Sequence, residues 1–290
     1  MRIAAVQMNP RLGAVEDNVR AIERWTESAA EAGADIVLFP ECSLQGIVFA
    51  SPEEAESVAE PRDGARIDAV AALARRFDVC IAVGFLEQLA DGIANTVCVA
   101  FPGGERRFYQ KTHVTALGAD RWVQPGPALS DILTFRGLNF GVIICYDVRF
   151  PEATRVLALQ GADAVLLSTN SPTGYEGTYE HAARTRAWEN RIWFAVANRI
   201  GEEADATFVG RSLIVDPFGR VVAQAGGDEE TLLVADVDVS LARSKLLPGH
   251  AGNQYDFLSS RRPDLYGPLV ESPARARPRE ETRASVGTGA

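Results

Sequence analysis

The sequence predicts an α/β fold in which strands and helices alternate along the chain. Short apolar runs of the kind that form strands are separated by longer helix-type stretches. Several of the strand segments are apolar at consecutive positions, which is typical of a sheet covered on both faces. With 290 residues, of which 47% are hydrophobic and 23% charged, the chain is long enough to bury a large core.

The predicted elements begin with a strand over residues 3–8, a helix over 15–32 and a strand over 35–39, with Gly33 ending the helix. Further strands are predicted over residues 80–85, 95–101, 140–145, 163–167, 193–198, 212–215 and 231–237. Segments 31–41 and 159–170 both carry Gly-Ala-Asp, then a buried strand, then polar residues. This repeat indicates two similar half-structures, although Gly and Asp are also common in any helix-to-strand turn.

The chain divides into one predicted domain over residues 1–258 and a C-terminal extension over 259–290. The regular pattern thins from about Leu247, and the last twenty residues are rich in Pro, Gly, Arg and Glu. Such a composition has little to bury, so we expect the extension to be partly disordered or draped on a neighbouring subunit.

The net charge and the hydropathy of the chain limit its possible partners and its location. A formal net charge of −10 argues against binding to nucleic acid or to an anionic membrane. No signal-peptide core is present, and no stretch approaches the roughly 18 uninterrupted apolar residues of a membrane span. We therefore expect a cytoplasmic protein with a small-molecule or protein partner.

The four cysteines, at positions 42, 80, 98 and 145, show no metal-ligand spacing, so neither a zinc site nor a disulfide framework is indicated. Cys145 nevertheless stands at the end of a buried strand, as do Glu41 and Asn170 in other parts of the chain. In open α/β sheets the carboxyl ends of strands are where ligands bind. These residues are therefore candidates for a site.

A nucleophilic cysteine needs a base, because a free thiol is only partly ionised near neutral pH. Nothing in the sequence directs His181 or His250 towards Cys145. A partly desolvated carboxylate can serve instead, since burial raises its pKa, and Glu41 is the candidate. A hydrolase in which a histidine is the base stays open as an alternative.

Lys111 follows a short aromatic-containing strand and precedes a predicted loop. A lone lysine in such a position is usually on the surface. In a pocket shared with Cys145 it would instead place a positive charge where an oxyanion develops.

Three motifs in the same order resemble those of the nitrilase superfamily of carbon-nitrogen hydrolases: PECSLQG around Glu41, YQKTH around Lys111 and CYDVRFPE from Cys145. The resemblance extends from Met1 to about Tyr255 and includes AAVQMNP, TRAWENRIWFAVANRIG and GRSLIVDPFGRVVAQA. It implies a four-layer αββα sandwich that dimerises as αββα-αββα, and a mechanism without cofactor or metal.

The resemblance also implies the roles of the site residues. Cys145 is the nucleophile, Glu41 is its base, and Lys111 with the backbone N–H of Tyr146 stabilises the oxyanion. The product forms through a cysteine thioester.

One position departs from the family pattern. A second glutamate is usual where this chain has Ala119, and Asp120 follows one residue later. We predict that Asp120 supplies the second carboxylate after a one-residue adjustment of the loop. The alternative, in which another group or water replaces that acid, stays open.

The substrate pocket is predicted to be lined by Trp122, Asn170, Ser171, Pro172 and the segment 173–179. Small and aromatic residues favour a short neutral amide, so we predict an amidase acting on small aliphatic amides. An N-carbamoyl amine or amino-acid hydrolase, an ω-amidase, a nitrilase and a non-catalytic binding protein are the alternatives. Three arginines are candidates to hold a substrate carboxylate: Arg149, Arg184 and Arg186.

Overall fold

The structure is a computed structural model that describes residues 1–271. Its strands are β1 (Arg2–Gln7), β2 (Ile36–Leu38), β3 (Cys80–Leu89), β4 (Gly92–Ala100), β5 (Arg106–Gln110), β6 (Leu133–Phe135), β7 (Leu138–Ile144), β8 (Ala164–Thr169), β9 (Trp193–Asn198), β10 (Ile200–Glu203), β11 (Ala206–Val209), β12 (Leu213–Val215), β13 (Val221–Gln224), β14 (Thr231–Asp236), β15 (Leu246–Pro248) and β16 (Gln254–Asp256). Its α-helices are α1 (Val15–Glu31), α2 (Pro52–Val58), α3 (Ala65–Phe77), α4 (Pro151–Leu159), α5 (Glu176–Asn190) and α6 (Val239–Arg243). The predicted α/β class is confirmed.

Two mixed six-stranded sheets form the centre of the molecule. The strand order is β14-β1-β2-β3-β4-β5 in the first sheet and β13-β12-β9-β8-β7-β6 in the second. In each sheet three adjacent strands are parallel, β1-β2-β3 and β7-β8-β9, and the outer strands are antiparallel. The repeated segments 31–41 and 159–170 contain β2 and β8, so they supply the middle parallel strand of each sheet.

The main core lies between the two sheets. Ile3 and Ala5 of β1 pack in a cluster with Phe140 of β7, whereas Ala4 and Val6 pack in a second cluster with residues of α1 and α3. Successive side chains of a strand point to opposite faces, so β1 contributes to both clusters. Full burial of one such large apolar side chain stabilises the fold by about 1.5–3 kcal/mol.

Helices cover the outer face of each sheet. In α1 the buried residues are Asn18, Ile22, Thr26 and Ala29, a spacing that places them on one face of the helix. Helices α1 and α3 contact each other and the first sheet, and α4 and α5 lie against the second. No helix among the described residues is long and apolar enough to cross a membrane.

Some boundaries differ from the predicted ones. The strand predicted over 80–85 extends to Leu89 because it pairs along its length with β4. The strand predicted over 140–145 ends at Ile144, since Cys145 has a φ of 45° and begins a 3-10 helix, Cys145–Arg149. The predicted extension contains two 3-10 helices, Pro263–Leu265 and Gly267–Leu269, and lies outside the described residues from position 272.

Candidate active site

Glu41 is buried just beyond the end of β2. Its Oε1 accepts hydrogen bonds from Lys111 Nζ at 2.8 Å and from Asn95 Nδ2 at 2.7 Å, and its Oε2 accepts one from the backbone N–H of Asn170 at 2.9 Å. Burial raises the pKa of Glu41; the charge of Lys111 opposes this rise and that of Asp120 adds to it. Glu41 is therefore an oriented carboxylate that protonates at a higher pH than an ordinary glutamate.

The backbone around Glu41 passes very close to β3. A Cβ on Gly84 would lie 2.6 Å from both the carbonyl oxygen of Pro40 and the backbone nitrogen of Cys42. Only a glycine at position 84 allows this approach. The fold thus fixes the turn that presents Glu41.

Lys111 follows β5 and lies between two buried carboxylates. Its Nζ donates to Glu41 Oε1 at 2.8 Å and to Asp120 Oδ2 at 2.5 Å. Burial alone would lower the pKa of Lys111, but the charges of Asp120 and Glu41 raise it well above its ordinary value. Lys111 is therefore a fixed cation over the whole neutral range of pH.

Asp120 lies in a 3-10 turn, Gly118–Arg121, and faces Lys111. Its Oδ1 accepts a hydrogen bond from Asn95 Nδ2 at 3.0 Å and its Oδ2 accepts one from Thr115 Oγ1 at 3.0 Å. Ala119, at the usual position of the second glutamate, is buried, and its N–H donates to the carbonyl of Ile47. The turn thus brings the carboxylate at position 120, one residue later, to the lysine.

Cys145 stands on a sharp turn directly after β7. Its φ of 45° lies in the left-handed region, which is strained for a residue with a side chain. Burial raises the pKa of the thiol to about 11 and the charge of Glu41 adds to this rise, whereas Lys111 and two hydroxyls, those of Thr169 and Tyr179, lower it. The thiol is therefore protonated at neutral pH and needs a base.

Asp147 ties the segment that carries the lysine to the turn that carries the cysteine. Its Oδ2 accepts hydrogen bonds from Tyr109 OH at 2.7 Å and from the backbone N–H of Ile144 at 2.9 Å. Its Oδ1 accepts from Thr112 Oγ1 at 3.1 Å and from the backbone N–H of His113 at 3.0 Å. This buried carboxylate therefore holds the two halves of the site in register.

A cavity of about 490 Å³ opens beside the cysteine. This volume is within the range of small-molecule sites. The lining residues are Val114, Thr115, Ala116, Leu117, Cys145, Tyr146, Arg149, Pro172, Tyr175 and Tyr179. Most of them are apolar or aromatic, so the cavity suits an uncharged ligand.

The predicted pocket lining is matched at Pro172 and, within the segment 173–179, at Tyr175 and Tyr179. Trp122 does not line this cavity. It packs beside the cluster that contains Ile47, with the Arg121 guanidinium 5.1 Å from its ring centre. The turn Gly118–Arg121, which directs Asp120 towards Lys111, also places Trp122 against the cluster that contains Ile47.

Asn170 and Ser171 are both buried, and neither is among the residues that line this cavity. Asn170 Nδ2 donates to the carbonyl of Glu41 at 2.8 Å, and the N–H of Ser171 donates to Asn198 Oδ1 at 2.9 Å. Asn170 therefore helps to position the Glu41 carboxylate.

Sequence reasoning gave no role to Asn95 or Asp147, and it included Tyr179 only as the end of the pocket segment 173–179. The sequence could have indicated Asn95, because an amide inside the apolar strand β4 must find hydrogen-bond partners when it is buried. It donates to both Glu41 and Asp120. The contacts of the other two residues depend on loops that meet only in the folded chain.

Among the described residues, none of the three histidines is hydrogen-bonded to the Cys145 thiol. His181 and His250 are exposed, and His113 lies against Asp147. Cys145 Sγ lies 3.2 Å from Tyr179 OH, and the Thr169 hydroxyl and the charges of Glu41 and Lys111 also affect the pKa of the thiol. Within residues 1–271 no group of three or more His, Cys, Asp or Glu side chains is placed to hold a metal ion.

The α/β fold and a buried cysteine beside an open cavity are those of a hydrolase with an active-site cysteine. The model of the carbon-nitrogen hydrolase family matches residues 2–245. The chain belongs to this family, within the nitrilase superfamily, as the sequence motifs predicted.

Relatives with different names share this family. The chain is 32% identical over 276 residues to an (R)-stereoselective amidase of Pseudomonas sp, a match that covers 94% of this chain and 96% of the relative. It is 31% identical over 267 residues to a nitrilase of Pyrococcus abyssi, covering 92% and 99%. It is 32% identical over 278 residues to an N-carbamoylputrescine amidase of Solanum lycopersicum, covering 88% and 90%.

The fold also matches a solved amidase from Nesterenkonia sp. AN1 with a TM-score of 0.80 and 26% identity, covering 93% of this chain and 100% of that one. One structure of that amidase shows covalent addition of the acetamide moiety of fluoroacetamide at its active-site cysteine, and another holds butyramide. The fold of this chain is thus similar to that of a solved amidase.

Proposed function

We propose that this protein is an amidase that hydrolyses small aliphatic amides to a carboxylic acid and ammonia, through a thioester on Cys145. The observation that carries the proposal is the buried chain of Glu41, Lys111 and Asp120, whose first two members act on the thiol beside an open cavity. In this mechanism the nucleophile, the base and the oxyanion donors are all groups of this chain.

In the first half of the reaction, Glu41 takes the proton of Cys145 and the thiolate attacks the carbonyl carbon of the amide. The carbonyl oxygen becomes an oxyanion that Lys111 Nζ and the backbone N–H of Tyr146 stabilise. This N–H lies in the first turn of a 3-10 helix, where backbone donors have no partner within the helix. Glu41 then gives its proton to the nitrogen, the C–N bond breaks and ammonia leaves.

In the second half, Glu41 takes a proton from a water molecule, which attacks the thioester carbon. The same donors hold the second oxyanion. The C–S bond breaks, the sulfur recovers a proton from Glu41, and the carboxylic acid leaves. The raised pKa of Glu41 supports this double use, because a base and acid works best when its pKa is close to the working pH.

The cavity supports an amide as the substrate. Its lining is mainly uncharged, with Leu117 and Pro172 among the apolar residues. The (R)-stereoselective amidase among the relatives and the solved amidase support the same branch.

A second candidate function is hydrolysis of N-carbamoyl amines or amino acids, and Arg149 is the observation that favours it. Arg149 is exposed and lines the cavity, with its guanidinium 4.8 Å from the ring centre of Tyr175. A cation in this position suits a substrate carboxylate. Of the other two candidate arginines, Arg184 donates to Gly219 O and Arg186 to Val148 O.

The test is ammonia release from a panel that contains short amides, ω-amides, nitriles and N-carbamoyl amino acids, with Cys145→Ala as the matched variant. We expect release from the short amides by the wild type and none by the variant. Release of carbon dioxide together with ammonia would instead select the carbamoyl branch.

Two other results would contradict the proposal. Turnover that persists in Cys145→Ala would remove the cysteine from the mechanism. Silence across the panel from folded protein would favour a binding role.

A further inference from the structure

We propose that Tyr179 is a further catalytic residue, whose hydroxyl donates a hydrogen bond to the Cys145 sulfur and stabilises the thiolate before it attacks. This inference rests on the proposed role of Cys145 as the nucleophile. It assigns to one side chain of α5 a role that none of the three motifs carries.

The geometry places the two groups in direct contact. Tyr179 OH lies 3.2 Å from Cys145 Sγ, and the two residues are 7% and 8% exposed. Both line the cavity, so the contact lies where the substrate carbonyl must approach. A thiol is a weak acceptor, but hydrogen bonds to an ionised acceptor are about twice as strong as neutral ones.

The Tyr179 hydroxyl can donate a hydrogen bond to the Cys145 sulfur, but it is not suited to act as the base that removes the thiol proton. Burial raises the pKa of Tyr179 well above its ordinary value, and the charge of Cys145 adds to that rise. Tyr179 therefore keeps its own proton while Glu41 removes the proton of the thiol. The O–H stays intact and only its acceptor changes, from a neutral sulfur to a charged one.

The site needs such a donor because burial works against the thiolate. Burial raises the pKa of Cys145 to about 11, and the Glu41 charge adds to the rise. Lys111 opposes it, yet its Nζ also binds two carboxylates. A neutral O–H that donates to the sulfur lowers the free energy of the thiolate without disturbing that ion-pair network. The thiolate forms twice in the reaction, before the attack on the amide and when the C–S bond of the thioester breaks.

The experiment is the labelling of Cys145 by methyl methanethiosulfonate, which contains no amide and so reports on the thiol without turnover. The thiolate attacks the reagent sulfur, a mixed disulfide forms and methanesulfinate leaves. Rates are measured by mass spectrometry from about pH 6 to about pH 11 for the wild type and Tyr179→Phe. Cys145→Ala gives the background from the other cysteines, and Tyr255→Phe, at an exposed position, is the matched control.

We expect Tyr179→Phe to label about 3- to 10-fold more slowly below the pKa of the thiol. Near pH 11 the wild-type rate should begin to level off, whereas the rate of the variant should still rise with pH. A hydrogen bond to a charged group is worth about one to two pKa units. The greater nucleophilicity of a more basic thiolate recovers about half of this loss on a logarithmic scale. The control should label at the wild-type rate, and thermal unfolding should show that both variants fold.

Equal rates for Tyr179→Phe and the wild type would overturn the inference. So would a lowered rate that begins to level off near pH 11 as the wild-type rate does, because that pattern reports access to the sulfur and not the pKa of the thiol. A wild type that labels as expected but hydrolyses no amide would refute the proposed function and leave the role of Tyr179 standing. Amide turnover by the wild type, with equal labelling rates for the wild type and Tyr179→Phe, would support the proposed function and refute the role of Tyr179.

Discussion

Asp120 controls the charge balance of the site, because its carboxylate bonds Lys111 and also acts on Glu41. Its charge is the largest contribution that raises the pKa of Lys111, and it adds to the raised pKa of Glu41. The acid limb of kcat/KM should therefore lie above the ordinary glutamate pKa of about 4.3, since Glu41 works in its deprotonated form.

We predict that Asp120→Asn lowers kcat about 10- to 100-fold and moves the acid limb to lower pH. The rate falls because Lys111 loses the partner that orients it. The limb moves down because a negative neighbour that raised the pKa of Glu41 has been removed. The measurement is a pH profile of amide hydrolysis, with the exposed Asp205→Asn as control. Unchanged turnover in Asp120→Asn would show that position 120 does not supply the second carboxylate.

At the scale of elements, the site depends on how the 3-10 helix Cys145–Arg149 is joined to the loop after β5. Asp147 makes that connection within the turn, through the backbone N–H groups of Ile144 and His113 and two side-chain hydroxyls. A buried group that accepts this many hydrogen bonds is costly to alter, because each donor left unpaired costs about 1–3 kcal/mol.

We predict that Asp147→Asn destabilises the fold by about 2–3 kcal/mol and lowers kcat at least about tenfold. The amide keeps one acceptor oxygen, but its NH2 group faces donors such as Tyr109 OH. Thermal unfolding and single-turnover kinetics measure the two effects. A variant with wild-type kcat would mean that the connection serves stability alone.

The elements that depend on local pattern could be predicted, and the contacts that depend on distant loops could not. Alternating apolar runs identified the parallel strands, and the polar residues at their ends identified Glu41 and Cys145. The structure differs from the prediction at Trp122 because a sequence does not show which way a turn projects its neighbours. It differs at Asn170 because the hydrogen bonds between Asn170 and Glu41 join residues 129 positions apart.

At the scale of the whole molecule, the last described segment leaves apolar side chains in solvent. Phe257 packs on Trp188 of α5 with ring centres 5.1 Å apart, so the chain after β16 lies on the helical layer of the second sheet. Beyond it, Leu265, Leu269 and Val270 are 63%, 61% and 90% exposed. Large apolar side chains exposed close together in sequence favour an interface with another subunit.

We propose that residues 1–258 form a single domain that assembles as a homodimer of the αββα-αββα type, and predict that this apolar segment contributes to the interface. Sedimentation velocity should give twice the chain mass of 31.3 kDa. Leu265→Asp combined with Val270→Asp should shift the protein to monomer, because a charge buried in an apolar interface is costly. Val222→Asp, at an exposed position of β13, should leave the dimer intact. A monomeric wild type would refute the assembly, and a double variant that stays dimeric would place the interface on another face.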